Sequence, residues 1–151
     1  MRPKELVTLS NMCMLRDTSG RVLVLDRLDP DWPGLTFPGG HVEPRESLTD
    51  AVIREMREET GLTIVHPQLV GTKGWVNDDG SRCIVLLYTA SEFTGELCSS
   101  DEGDIRWMTL SEMQSGKMAD GMDIMLQVFL NEQISEHWFE RNGNGWKELL
   151  K

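Results

Sequence analysis

One stretch constrains this chain more than any other. Ser47 to Thr60 reads as a helix whose apolar stripe turns acidic halfway along. Ser47 can cap it, Asp50 stands three residues on as in a capping box, and Gly61 ends it. At about 100° per residue, Leu48, Val52 and Met56 share one stripe, Glu59 falls among them and Glu55 lies just beside. Glu55, Glu58 and Glu59 are spaced i, i+3, i+4, so the helix gathers them on one side. A solvated face would sit opposite the stripe; a helix that leaves the core and enters a cleft has this pattern.

Three carboxylates this close repel one another and raise each other's pKa values unless a positive group joins them. A hard divalent cation answers that need. Mg²⁺ fits best because it binds through few carboxylates, keeps waters and takes further ligands from phosphates. The competing reading is an exposed Glu/Arg helix laced by i, i+4 pairs.

The rest of the chain sets the frame. Its 151 residues make one ordinary domain, and 39% apolar with 26% charged residues is the balance of a globular protein. No run approaches the roughly 18 apolar residues of a membrane span, and the N-terminus is a poor signal peptide. Cys13, Cys83 and Cys98 are odd in number and widely spaced. They read as reduced, packing thiols of a cytoplasmic protein. A net charge of −10 argues against a nucleic-acid binder. With a polyphosphate substrate, it calls for a screening cation.

Leu6–Leu15 and Val22–Asp26 read as strands joined by the turn Asp17–Gly20, together suggesting a hairpin. Leu28–Gly40 is loop-like. Leu69–Val76 and Cys83–Ser91 are strands flanking the turn Asn77–Gly80, and Ile105–Thr109 is a short strand. Met122 to about Ser135 is a second helix, and Asn142–Gly145 can fold a terminal hairpin. Strands around two helices suggest an α/β/α or α+β sandwich.

Gly40, five residues, Glu46, seven residues, Arg54-Glu55-Met56, one residue, Glu58-Glu59, one residue, Gly61-Leu62: this spacing resembles the Nudix box at every defined position. With each residue type used at about 6–7%, seven fixed positions coincide by chance on the order of once in 10⁸ placements. Phe37-Pro38-Gly39-Gly40 is similar to the family's usual lead-in, and the Ser99–Gly103 loop and the late helix fall where Nudix domains have them.

The resemblance implies an α+β fold over residues 1–151, a Nudix-type α/β/α sandwich with a mixed sheet, the box helix and a late helix. It implies Glu55, Glu58 and Glu59 as metal-binding carboxylates for Mg²⁺ (or Mn²⁺), with Gly39 offering a carbonyl. Glu46 and Arg54 would pair to orient loop against helix, while Gly40 and Gly61 suit tight backbone. Glu102 resembles the acidic residue that related enzymes supply from outside the box, as a further ligand or base; a solvated Glu102 is the alternative. The implied reaction is attack at phosphorus by water activated by metal and a carboxylate.

For the substrate, the likeness is to MutT-like nucleoside triphosphate diphosphatases, which sanitize the nucleotide pool. By position, Asn11, Phe37, Asp120 and Met122 become base-pocket candidates, although each could equally serve a turn, a cap or the core. Trp32 and Trp75 read as packing residues and stay unassigned. Three other readings remain: another Nudix substrate such as ADP-ribose, a dinucleoside polyphosphate or a capped RNA; a non-catalytic nucleotide sensor; and a structural interaction domain. A nucleotide is the expected partner, with neither nucleic acid nor membrane, and the chain could be a monomer or a homodimer.

Overall fold

The computed structural model describes residues 1–151. The decisive helix, α1, spans Leu48–Thr60. The Ser47 side chain accepts from the Asp50 N–H at 3.0 Å, and Gly61 closes α1 at φ 78°, a left-handed value natural to glycine.

The chain that α1 packs against is β1, Val7–Leu15. It pairs in parallel with β7, Arg82–Ala90, and antiparallel with the short β4, Gly39–His41. Beyond β7 come β6 (Gln68–Val76), β10 (Glu136–Asn142) and β11 (Gly145–Leu150), giving a six-stranded mixed sheet in the order β11-β10-β6-β7-β1-β4. Both expected hairpins, β6–β7 and β10–β11, form.

The first expected hairpin does not. β2, Val22–Arg27, pairs at β1's end only through the Arg16–Val22 bridge. It sits instead between β3 (Gly34–Thr36) and β9 (Gly103–Met108) in a second sheet. The reason lies in its side chains. Met12–Leu15 and Val22–Leu25 are unbroken apolar runs, which suit strands covered on both faces and not a half-exposed hairpin.

Alternation along β1 divides the core in two. Met12 and Met14 join a cluster with Met122, Met125 and Phe129 of α3 (Met122–Leu130), while Cys13 and Leu15 join another with Val52 and Met56 of α1. The sheet is thus sandwiched between α1 and α3, an α+β architecture of the expected α/β/α kind. No helix is long and apolar enough to cross a membrane.

α3 stops sooner than its expected end near Ser135. Asn131 leaves the helix in extended conformation, and its side chain accepts from the Gln133 N–H in a turn that redirects the chain into β10. Two further strands, β5 (Leu62–Val65) and β8 (Glu92–Gly95), pair as a ribbon. A short helix, α2 (Leu110–Ser115), starts from a reciprocal capping box between Thr109 and Glu112. Of the thiols, Cys13 packs in the core, where burial pushes it up to about 12, Cys83 is half-buried, and Cys98 is exposed, against the packing expectation.

Candidate active site

The second half of α1 is organised around Arg54. Its Nε and Nη2 clasp Glu46 at 2.6 and 2.9 Å, Nη1 donates to Glu55 at 2.9 Å and Glu58 at 3.1 Å, and Nη2 also donates to the His41 carbonyl at 2.9 Å. All five guanidinium donors are thereby used, which only the planar fork of arginine permits. The Arg54 hydrogen bonds, helped by the Glu43 N–H, hold Glu46 down at about 2. Loop and helix are locked together.

Glu59 lies outside this clasp. It is buried, 7% exposed, and its Oε2 accepts from the Gly39 N–H at 3.1 Å. Burial, then the hydrogen-bonded carboxyl of Glu102, then the nearby charge of Glu55 hold its pKa well above the usual carboxylate range. Glu102 hangs from the loop before β9 and reaches Glu59 across the fold. The Gly40 Cα faces the Glu55 carboxylate so closely that a Cβ would collide with it, and a Cβ on Gly39 would strike the Asn11 backbone. Both glycines are needed for close approach.

The box therefore divides. Glu55, Glu59 and Glu102 cluster at the β4 edge with Gly39 and Gly40, while Glu58, with 56% of its side chain exposed, is drawn to Arg54. No three acidic, imidazole or thiol side chains converge tightly enough to ligate an ion. The donor set nevertheless suits a hard divalent cation. Buried Glu59, whose pKa is raised beside Glu102 and Glu55, presents with them oxygen ligands whose mutual repulsion a cation would relieve.

A cleft of about 370 Å³ runs from Gly39–His41 along the sheet to Arg27, Trp32, Lys73 and Trp75. A second cavity of about 260 Å³ shares Trp32, Lys73 and Trp75 and is closed by Asp120, Phe139 and Trp146. Lys73 and Trp75 are two residues apart on β6 and so share a face. The Trp32 indole N–H is anchored on the Asp120 carbonyl at 2.8 Å. Arg27 donates to the Trp32 carbonyl and to Asp29.

The base-pocket candidates separate on inspection. Asn11 lines the cleft, but its Oδ1 is taken by the Gly40 N–H at 3.1 Å and its Nδ2 is buried without a partner. Phe37 reaches the cleft wall yet is 1% exposed and packs edge-on against Phe129 at 5.1 Å. Asp120 faces the second cavity. Met122 lines neither cavity. It is fully buried among core side chains, where its sulfur accepts from the Thr36 hydroxyl at 3.5 Å, because it lies on the same buried face of α3 as Met125, Leu126 and Phe129. Conversely, Trp32 and Trp75, read from sequence as packing, form cleft walls with Lys73. The Lys-x-Trp alternation was the available signal, but it gains meaning only once Trp32 arrives from a distant loop. His41 lends only its carbonyl to Arg54, His66 lies in a turn, and His137 is buried against Glu148 at 3.0 Å.

The comparisons with known proteins agree with this geometry. The NUDIX domain family matches residues 8–129. The uncharacterized Nudix hydrolase YvcI of Bacillus subtilis is 36% identical over 126 residues, 80% of this chain and 78% of that protein. The NAD-capped RNA hydrolase NudC of Stutzerimonas stutzeri is 32% identical over 108 residues, but the chain spans only 38% of its length. Among solved structures, the MutT protein of Bacillus halodurans superposes with a TM-score of 0.76 at 28% identity, covering 94% of each chain. The Nudix domain of Shewanella oneidensis NrtR, solved with ADP ribose, shares the fold with a TM-score of 0.66 at 18% identity. Box, fold and relatives agree: this chain belongs to the Nudix family and is a MutT-like Nudix pyrophosphohydrolase, acting on phosphorus-containing acid anhydrides.

Proposed function

We propose that residues 1–151 act as one Nudix domain. It hydrolyses nucleoside triphosphates, oxidised purine nucleotides such as 8-oxo-dGTP among them, to a nucleoside monophosphate and pyrophosphate, in the cytoplasm and with Mg²⁺ or Mn²⁺. One observation carries this reading: buried Glu59, paired with Glu102 from the loop before β9, meets a glycine edge that opens directly into a cleft with aromatic walls. Its volume of about 370 Å³ falls in the range of small-ligand sites.

Glu55 and Glu59, with Glu58, Glu102 and the Gly39 carbonyl in reach of the same edge, are the groups to hold the cation. Once bound, it would neutralise the bridging phosphates and acidify a water. The protein's own residues do the rest. Gly39 and Gly40 let the phosphate chain approach the carboxylates without a side chain between. Arg54 fixes Glu46 and Glu55 and keeps loop and helix in register. A carboxylate of the Glu59–Glu102 pair would take the proton of the attacking water once a bound cation has displaced the proton that Glu59 holds. The leaving oxygen departs on the opposite side of phosphorus.

The second cavity favours one alternative, a nucleoside diphosphate joined to a further group, since it continues the cleft past Lys73. Product analysis separates the two. Pyrophosphate with a nucleoside monophosphate from a triphosphate supports the first, whereas turnover confined to ADP-ribose or dinucleotides supports the second.

A further inference from the structure

Lys73 is the unusual side chain of the cleft. Its ammonium stands 4.8 Å from the centre of the Trp32 ring, 5.3 Å from Phe139 and 5.9 Å from Trp75. It makes no hydrogen bond and no ion pair, and Asp120 and Glu148 influence it only at longer range. Burial lowers its pKa, and those two carboxylates oppose the shift. Three N–H donors thus face the junction of two cavities with no acceptor from the protein, placed to donate to whatever ligand enters.

The acceptor has to be neutral. A phosphate here would face three aromatic rings, whose faces are negative, as well as the carboxylates of Asp120 and Glu148. The anionic end of a substrate has a better place at Gly39–His41, the opposite end of the cleft. A planar ring with acceptors on its edge suits aromatic walls and an ammonium at once. Among purines, those with a 6-oxo group show the O6 acceptor on this edge, joined by N7 where C8 is not oxidised, whereas adenine puts an amino donor at the 6-position that would confront the lysine.

We propose that Lys73 is the specificity residue of this cleft: it donates to O6 of a 6-oxopurine lying along Trp32 and Trp75, and so selects guanine- or hypoxanthine-type nucleotides over adenine-type ones. This rests on the reading of the cleft as the nucleotide site and names the base it takes.

The test compares inosine and adenosine 5′-monophosphates, which differ at the 6-position, by quenching of tryptophan fluorescence. The same purines are then compared as triphosphates for turnover with Mg²⁺. Wild type should bind the inosine nucleotide at least tenfold more tightly. In Lys73→Met that ratio should collapse towards one through loss of the inosine nucleotide, with inhibition by inorganic pyrophosphate unchanged. Equal binding of the two by wild type, which needs no variant, overturns the proposal. So does a parallel loss of both nucleotides and of pyrophosphate in Lys73→Met. A 6-oxo preference without triphosphate turnover would sustain the lysine's role and defeat the triphosphatase reading, while turnover without base preference would do the reverse.

Discussion

Glu59 and Gly39 meet through a single hydrogen bond of 3.1 Å, backbone N–H to carboxylate, that joins the end of the box helix to the edge of the main sheet. The same glutamate is hydrogen-bonded to Glu102, and the same glycine lines the cleft.

Removing the charge at this contact should uncouple chemistry from folding. In Glu59→Gln the amide oxygen can still accept from Gly39 and the amide nitrogen can donate to Glu102. Turnover should drop by about 10²-fold or more, the scale of a lost acid–base group. The thermal midpoint without metal should hold or rise. Glu58→Gln should also lose turnover with the fold intact. Full activity in both variants would refute the assignment.

Proton linkage provides a second check. Glu59 holds its proton in the folded, metal-free protein above the pH at which an unfolded glutamate has lost it. The folded state then binds more protons, so stability in EDTA should fall as pH rises from the ordinary carboxylate range through neutrality. Divalent cation competes with that proton. Calorimetry in two buffers of different ionisation heat should show proton release on Mg²⁺ binding, with affinity increasing from pH 6 to 8.

Arg54→Lys should lower activity tenfold or more, because an ammonium cannot clasp Glu46 bidentately and serve Glu55 and Glu58 too. The Glu46–Arg54 contribution has the opposite pH sign to that of Glu59. Glu46 is held down at about 2, so its stabilisation is present above the usual carboxylate pKa and fades as pH falls from there through about 2.

The two glycines should respond differently to alanine. Gly40→Ala pushes on the movable Glu55 carboxylate and should weaken Mg²⁺ binding with a modest loss of stability. Gly39→Ala pushes on the Asn11 backbone and should cost about 1–3 kcal/mol, measurable by urea unfolding.

Met122→Ala examines the corrected pocket. A buried methionine truncated in the core should cost about 2–5 kcal/mol while leaving discrimination among nucleotides unchanged.

What the sequence revealed follows from the range of the interactions involved. Helix α1, its caps and the Glu46–Arg54 pairing lie within nine consecutive residues or a few helical turns, where spacing dictates geometry. The β6–β7 and β10–β11 hairpins carry their own turns. The partner of β2 is β9, more than seventy residues away, and nothing local separates that pairing from a hairpin with β1. The cleft is legible least of all. Trp32, Lys73 and Phe139 come from three distant segments, and the same indole that looks like core filler in a linear reading becomes a wall once the loops close. Glu58 illustrates a different limit. Periodicity placed it beside Glu55 and Glu59, yet Arg54, one turn back, donates to it.

The most direct measurement is a crystal structure at saturating Mn²⁺, with the ion located by its anomalous signal. An ion should appear at the β4 edge held by Glu55 and Glu59, with the Glu59–Glu102 proton displaced. An empty edge, with Glu59 still sharing its hydrogen bond with Glu102 and Glu58 still on Arg54, would contradict it.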